Sequence, residues 1–78
     1  MNKKAEKISK ITQEILRRQV EHKGERPGQR VVNALATVDK VLYNKLMELP
    51  AEDRPDPFYD DGKLEAFWQW FEGELDKQ

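Results

Sequence analysis

A chain of 78 residues with no cysteine and a single histidine fits one domain, residues 1–78, and excludes disulfides, thiolate metal sites and an imidazole cluster. Folding at this size removes only about 60% of the unfolded surface from water, so helix packing or self-association has to supply the stability that staples give elsewhere. The formal net charge is −1, yet residues 1–47 hold 11 Lys and Arg against 5 Asp and Glu, while residues 48–78 hold 3 against 10.

The simplest account of that split sets a basic first helix beside an acidic last one. The start, Met1-Asn2-Lys3-Lys4, is basic like a secretory n-region, but Glu6, Ser9, Lys10 and Gln13 interrupt any apolar stretch behind it. No run approaches the roughly 18 apolar residues of a membrane span. The expectation is a cytoplasmic protein with no membrane partner.

Residues 3–23 read as a helix whose apolar stripe is Ile8, Ile11, Ile15 and Val20, with Leu16 beside it. Gly24 stands where a C′ residue would end it. Gly24-Glu25-Arg26-Pro27-Gly28 is a break. Residues 29–49 carry a second stripe, Val31, Leu35, Val38, Leu42 and Leu46, widened by Val32, Ala34, Val41, Tyr43 and Met47. This stretch is one helix or two shorter ones; a tight junction with Asp39 capping the second piece is the favoured form.

Residues 50–61 contain three prolines and are not helical throughout. The aromatic pair predicts how this loop is anchored: Phe58 inserts into the core and Tyr59 lies along the surface with a wet hydroxyl. Asn33, polar on an apolar helix, is expected to pin the loop through the free carbonyls of residues 56–59. A last helix begins near Asp60 or Asp61 and runs to about Lys77, with Leu64, Phe67, Trp68, Phe71 and Leu75 on one stripe. Trp68 and Trp70 differ by about 200° around a helix; Trp68 belongs to the core stripe, and Trp70 either packs under the loop or stands open as a partner anchor. The first few and last few residues are expected to fray. The fold class is therefore all-α: a small bundle of three main helices, or four pieces, with a Pro-rich loop packed across it.

Pro27-Gly28-Gln29, Asn33-Ala34-Leu35, Asp56-Pro57-Phe58-Tyr59-Asp60-Asp61 and Leu64, Phe67 and Trp70 together resemble a pattern in short uncharacterised proteins of bacteriophages and prophages. There, a Gly-Gln and Asn-Ala-Leu helix precedes an Asp-Pro-Phe-Tyr loop and a Trp-bearing helix. The resemblance covers residues 27–71 and implies a phage-related origin and no chemistry; the first helix is longer and more charged than that pattern.

Chemistry is poorly supplied. The carboxylates of Glu52, Asp53, Asp56, Asp60 and Asp61 lack the alternating spacing of a calcium loop, and they suit caps and solvated charge. Ser9 and His22 have no evident base or orienting group. No enzyme activity, cofactor or metal is expected. A non-catalytic protein–protein interaction module ranks first, binding and in one form of this reading inhibiting a host protein that carries a basic surface. Glu65, Trp70, Glu72 and Asp76 with Asp53 and Asp56 are its candidate partner-binding residues. A nucleic-acid accessory protein ranks second, using Lys3, Lys4, Lys7, Lys10, Arg17 and Arg18 on the first helix, and a self-assembling protein using an exposed Trp70 ranks third.

Overall fold

The computed structural model describes residues 3–77, and these form an all-α bundle. The elements are α1 (Lys3–Glu21), α2 (Pro27–Val38), α3 (Lys40–Glu48), a single 3-10 turn (Asp61–Lys63) and α4 (Leu64–Asp76). Of the first few and last few residues expected to fray, residues 1, 2 and 78 lie outside the described residues. No described helix is long and apolar enough to cross a membrane.

The core joins one residue of α1, Ile11, to Val31, Ala34 and Leu35 of α2, Leu42 and Leu46 of α3, and Phe67, Phe71 and Leu75 of α4. Phe67 and Phe71 stack at 6.0 Å between centroids, and Trp68 meets both edge-on, at 5.3 and 5.7 Å. Trp70 lies 6.1 Å from Phe67 on the other side. The two tryptophans thus straddle the Phe67–Phe71 stripe, each half-buried. The core stripe lies between them around the helix, within reach of both rings, so their wide separation does not force either one out.

The stretch 29–49 is two helices, and Asp39 makes the joint. Its N–H donates to the Leu35 carbonyl at 2.8 Å, ending α2, and its carboxylate accepts from the Leu42 N–H at 3.1 Å, starting α3. The carboxylate also takes Lys7 Nζ of α1 at 2.9 Å. One residue closes three elements together.

Five expectations need correction. Leu16 and Val20 are 56% and 71% exposed, because at 100° per residue they fall about 140° and 180° around the helix from the buried Ile11. Val41 is likewise exposed on α3. α1 stops at Glu21, and Gly24 is not left-handed, so it is no C′ cap. Phe58 is only half-buried; the loop residue fully inside is Pro57, whose missing N–H suits a site with little room for a donor's partner. Asn33 does not pin the loop: its amide donates to Glu25 Oε2 at 2.6 Å, a carboxylate being a stronger acceptor than a carbonyl.

Candidate functional site

The site is built where the loop between α3 and α4 returns across α2. At the N-terminus of α2 the first-turn N–H groups need acceptors, and the helix has no acid of its own there. Asp61 supplies one from across the fold: its Oδ1 accepts from the Gly28 N–H at 2.9 Å, with Arg26 Nη1 3.6 Å away. Arg26 Nη2 donates to the Phe58 carbonyl at 2.6 Å, and its own N–H is taken by Gln29 Oε1 at 3.0 Å. Gly28 is fully covered, and a Cβ there would stand 1.9 Å from the Pro57 carbonyl oxygen. Only a residue without a side chain lets the loop backbone come this close.

The far end of the loop is tied to α3. Arg54 reaches back to the last carbonyls of that helix, with Nη2 at 2.8 Å from both the Met47 and Leu49 oxygens and Nε at 3.2 Å from Leu49. A guanidinium at a helix C-terminus meets both the orphan acceptors and the negative end of the dipole. Between the ties, the Asp56 carboxylate accepts from the Phe58 N–H at 2.9 Å and that of Asp60 from the Gly62 N–H at 2.9 Å, two turns of the Asx type.

The loop so held leaves an open groove of about 310 Å³ against α2 and α3. Val32, Tyr43, Met47 and Phe58 give it an apolar lining, Asn33, Arg54 and Asp56 add polar atoms, and Tyr59 stands at its edge, 84% exposed, with its ring edge-on to Phe58 at 4.8 Å. Glu52 and Asp53 are exposed on the same loop. Such a lining offers shape, aromatic contact and one residue of each charge, Asp56 and Arg54, the chemistry of binding an extended or helical segment.

One flank is stiffened by a charged network. Glu25 receives Arg18 Nη2 at 3.0 Å, Arg18 Nε at 3.2 Å and the Asn33 amide. The Arg18 guanidinium, with the Asn33 amide after it, holds the Glu25 carboxyl below its usual range. Among the described residues no three His, Cys, Asp or Glu side chains converge in a metal-holding group.

No protein-family model, curated protein or solved structure matches the chain.

The candidate partner-binding residues fall in different places. Asp53 and Asp56 lie on the groove loop, the first exposed and the second half-buried and lining the groove. Glu65, Glu72 and Asp76 share one outer stripe of α4 and are exposed. Trp70 is half-buried against the core and does not share their stripe. Asp76 is paired with Lys4 at 2.6 Å, a hydrogen bond that raises the Lys4 pKa, with Glu72 adding to the field. The opposite charges of the first and last helices thus meet at this pair, while α1 packs chiefly on α2. Sequence reading missed Val32, Tyr43, Met47 and Phe58 as a groove, because the first three are apolar at core spacing and Phe58 reads as a core anchor; Tyr59, two residues after Pro57 and expected at the surface, was the available signal.

Proposed function

We propose that this protein is a non-catalytic interaction module that takes a segment of a partner protein into the groove between α2, α3 and the Pro-rich loop. The observation that carries the reading is Tyr59, an aromatic side chain left 84% exposed at the border of an apolar groove. Exposed tyrosines of this kind are frequent anchors of protein interfaces. Asp56 in the lining, with Glu52 and Asp53 exposed on the same loop, favours a partner segment that pairs an apolar anchor with Lys or Arg, and a field of that sign speeds encounter more than it deepens affinity. The phage-related origin that the resemblance implies fits a host protein as the partner, and inhibition by occupancy of the groove is the outcome this reading carries. Two of the lysines on which nucleic-acid binding would rely, Lys4 and Lys7, are already paired with Asp76 and Asp39, which counts against that reading.

The test is capture from a bacterial lysate at moderate salt, followed by titration of the recovered partner against variants. Tyr59→Ala is expected to weaken binding at least about tenfold with little change in melting. Asp53→Lys is expected to slow association at low salt, a defect that fades as salt screens it. Glu65→Lys with Glu72→Lys measures how far the α4 stripe contributes to the same steering. A partner that binds Tyr59→Ala undiminished rules the groove out, and salt-sensitive DNA binding through Lys3 and Lys10 would replace this reading with the nucleic-acid one.

A further inference from the structure

The inner side of α1 packs on the bundle and its outer side faces solvent. At 100° per residue, Ser9, Thr12, Gln13, Leu16, Gln19 and Val20 fall within an arc of about 120° on that outer side, and Ala5 extends it by a turn. Every Lys, Arg and Glu of α1 lies outside this arc, in a chain of which 37% is charged. Leu16 and Val20, 56% and 71% exposed, are its two large apolar residues. Its polar groups turn to their own helix: Thr12 Oγ1 donates to the Ile8 carbonyl at 2.8 Å, and Gln13 Nε2 to Ser9 Oγ at 3.3 Å. Covering the arc would leave the Thr12 hydroxyl its acceptor.

We propose that this face pairs with the same face of a second copy of the chain, α1 running antiparallel to α1 about a two-fold axis between Thr12 and Gln13. Residue size selects that occupant first. The arc is small at its N-terminal end and large at its C-terminal end, so the antiparallel pairing sets Leu16 against Ser9 and Val20 against Ala5 of the second copy, each large side chain opposite a space. Ala5, Ser9, Thr12, Leu16 and Gln19 also alternate four and three residues apart, the spacing of a two-helix seam. Charge selects it again. Antiparallel helices bring the same rim of each copy together, which places Glu6 of one beside Arg17 of the other. The contact is about 24 Å long, so the interface stays well below about 1,200 Å² and the dimer is weak and concentration-dependent. The groove, walled by α2, α3 and the loop, stays open on both copies.

Sedimentation over a concentration series tests this directly. The mass is expected to rise from 9.2 kDa toward twice that value between about 10 µM and 1 mM, and Leu16→Lys is expected to hold it at the monomer value with an unchanged helical spectrum. The cysteine-free chain allows a second readout. Under mild oxidation Thr12→Cys should cross-link to itself, Ala5→Cys should not, and Ala5→Cys mixed with Val20→Cys should. A monomer mass at every concentration, a dimer indifferent to Leu16→Lys, or self-cross-linking by Ala5→Cys as efficient as by Thr12→Cys overturns the proposal.

Discussion

α2 buries Gly28, Val31, Val32, Ala34 and Leu35 within 12 residues, whereas the 19 residues of α1 bury Ile11 alone. Both segments have the period of an amphipathic helix. α2 is wrapped on several sides, by α1, by α3 and by the returning loop, so its contacts are apolar and close. α1 is met along one row, and long charged side chains flank that row: Lys4 to Asp76, Lys7 to Asp39 and Arg18 to Glu25. The difference teaches that helical period reports the element, while the number of neighbours decides how many of its apolar residues go inside. It also separates two sensitivities. α2 should answer to volume, and α1 to charge and pH.

The sharpest test on the α2 side is Gly28→Ala. Its Cβ would meet the Pro57 carbonyl carbon and oxygen, at 2.8 and 1.9 Å, and Asp61 Oδ1 at 2.7 Å, and two of these three atoms are backbone that no rotamer change can move. Relief requires the loop to lift from α2, which also breaks the Asp61 cap. The expected loss is about 3 kcal/mol or more, most of the roughly 5 kcal/mol typical of so small a domain. Thermal melting followed by circular dichroism measures it. A shift no larger than that of an ordinary surface change would show that α2 is not closely held by the loop.

On the α1 side the corresponding test is Asp39. Burial alone would raise its carboxyl pKa, but the Lys7 ammonium and the N–H groups of Leu42 and Val41 outweigh that and hold it below its usual 3.8. A lowered folded pKa means that ionised Asp39 stabilises the fold above about pH 4 and that the contribution disappears as the pH falls through the folded value. Glu14, held low chiefly by Arg17, and Glu25, held low chiefly by Arg18, act in the same direction and window. Asp39→Ala should cost about 1–2 kcal/mol at pH 7, the range for a lost cap with a partner ion, and should flatten the acid limb of the stability curve below about pH 4. Melting temperatures of both proteins from pH 2.5 to 7 give the comparison. Parallel acid limbs would assign the pH dependence to other carboxylates.

Much of this division was legible beforehand, and the part that was not has a physical reason. The four helices, the Asp39 joint and the last helix's aromatic stripe follow from period and capping chemistry, which are local. Gly28, Pro57, Asp61 and Arg26 read locally as a break, a rigid loop and a solvated acid. Their joint role depends on residues about 30 positions apart meeting at one helix end, and no period encodes that. The groove was hidden for a related reason: Tyr43, Met47 and Phe58 look like core until the loop's course shows that they are only half covered.

Phe58→Ala weighs that last point. A buried Phe at a fully packed position typically costs about 3–5 kcal/mol when truncated. Here the ring is half-buried at a groove wall, and the loop is held by Pro57, by Arg26 on the Phe58 carbonyl and by Arg54, none of which involves the ring. About 1 kcal/mol is expected, with the larger effect falling on partner binding. Chemical denaturation at fixed pH resolves the two cases, since a loss near 3 kcal/mol would return Phe58 to the core.

The smallest expected effect is the most direct challenge to the contrast between the helices. Leu16→Lys combined with Val20→Lys replaces two apolar residues at positions where a sequence-level stripe would place core side chains. In the structure both stand on the outer side of α1, and lysine keeps helix propensity close to that of leucine and above that of valine. At low micromolar concentration, where a weak pair of α1 helices is dissociated, the melt should move by no more than about 0.5 kcal/mol in either direction. The two new charges stand four residues apart, with Arg17 three residues before position 20, and work slightly against the fold, while better propensity at residue 20 works for it. A loss of about 2 kcal/mol or more at that concentration would mean that these side chains are covered within the monomer. α1 would then be as thoroughly enclosed as α2.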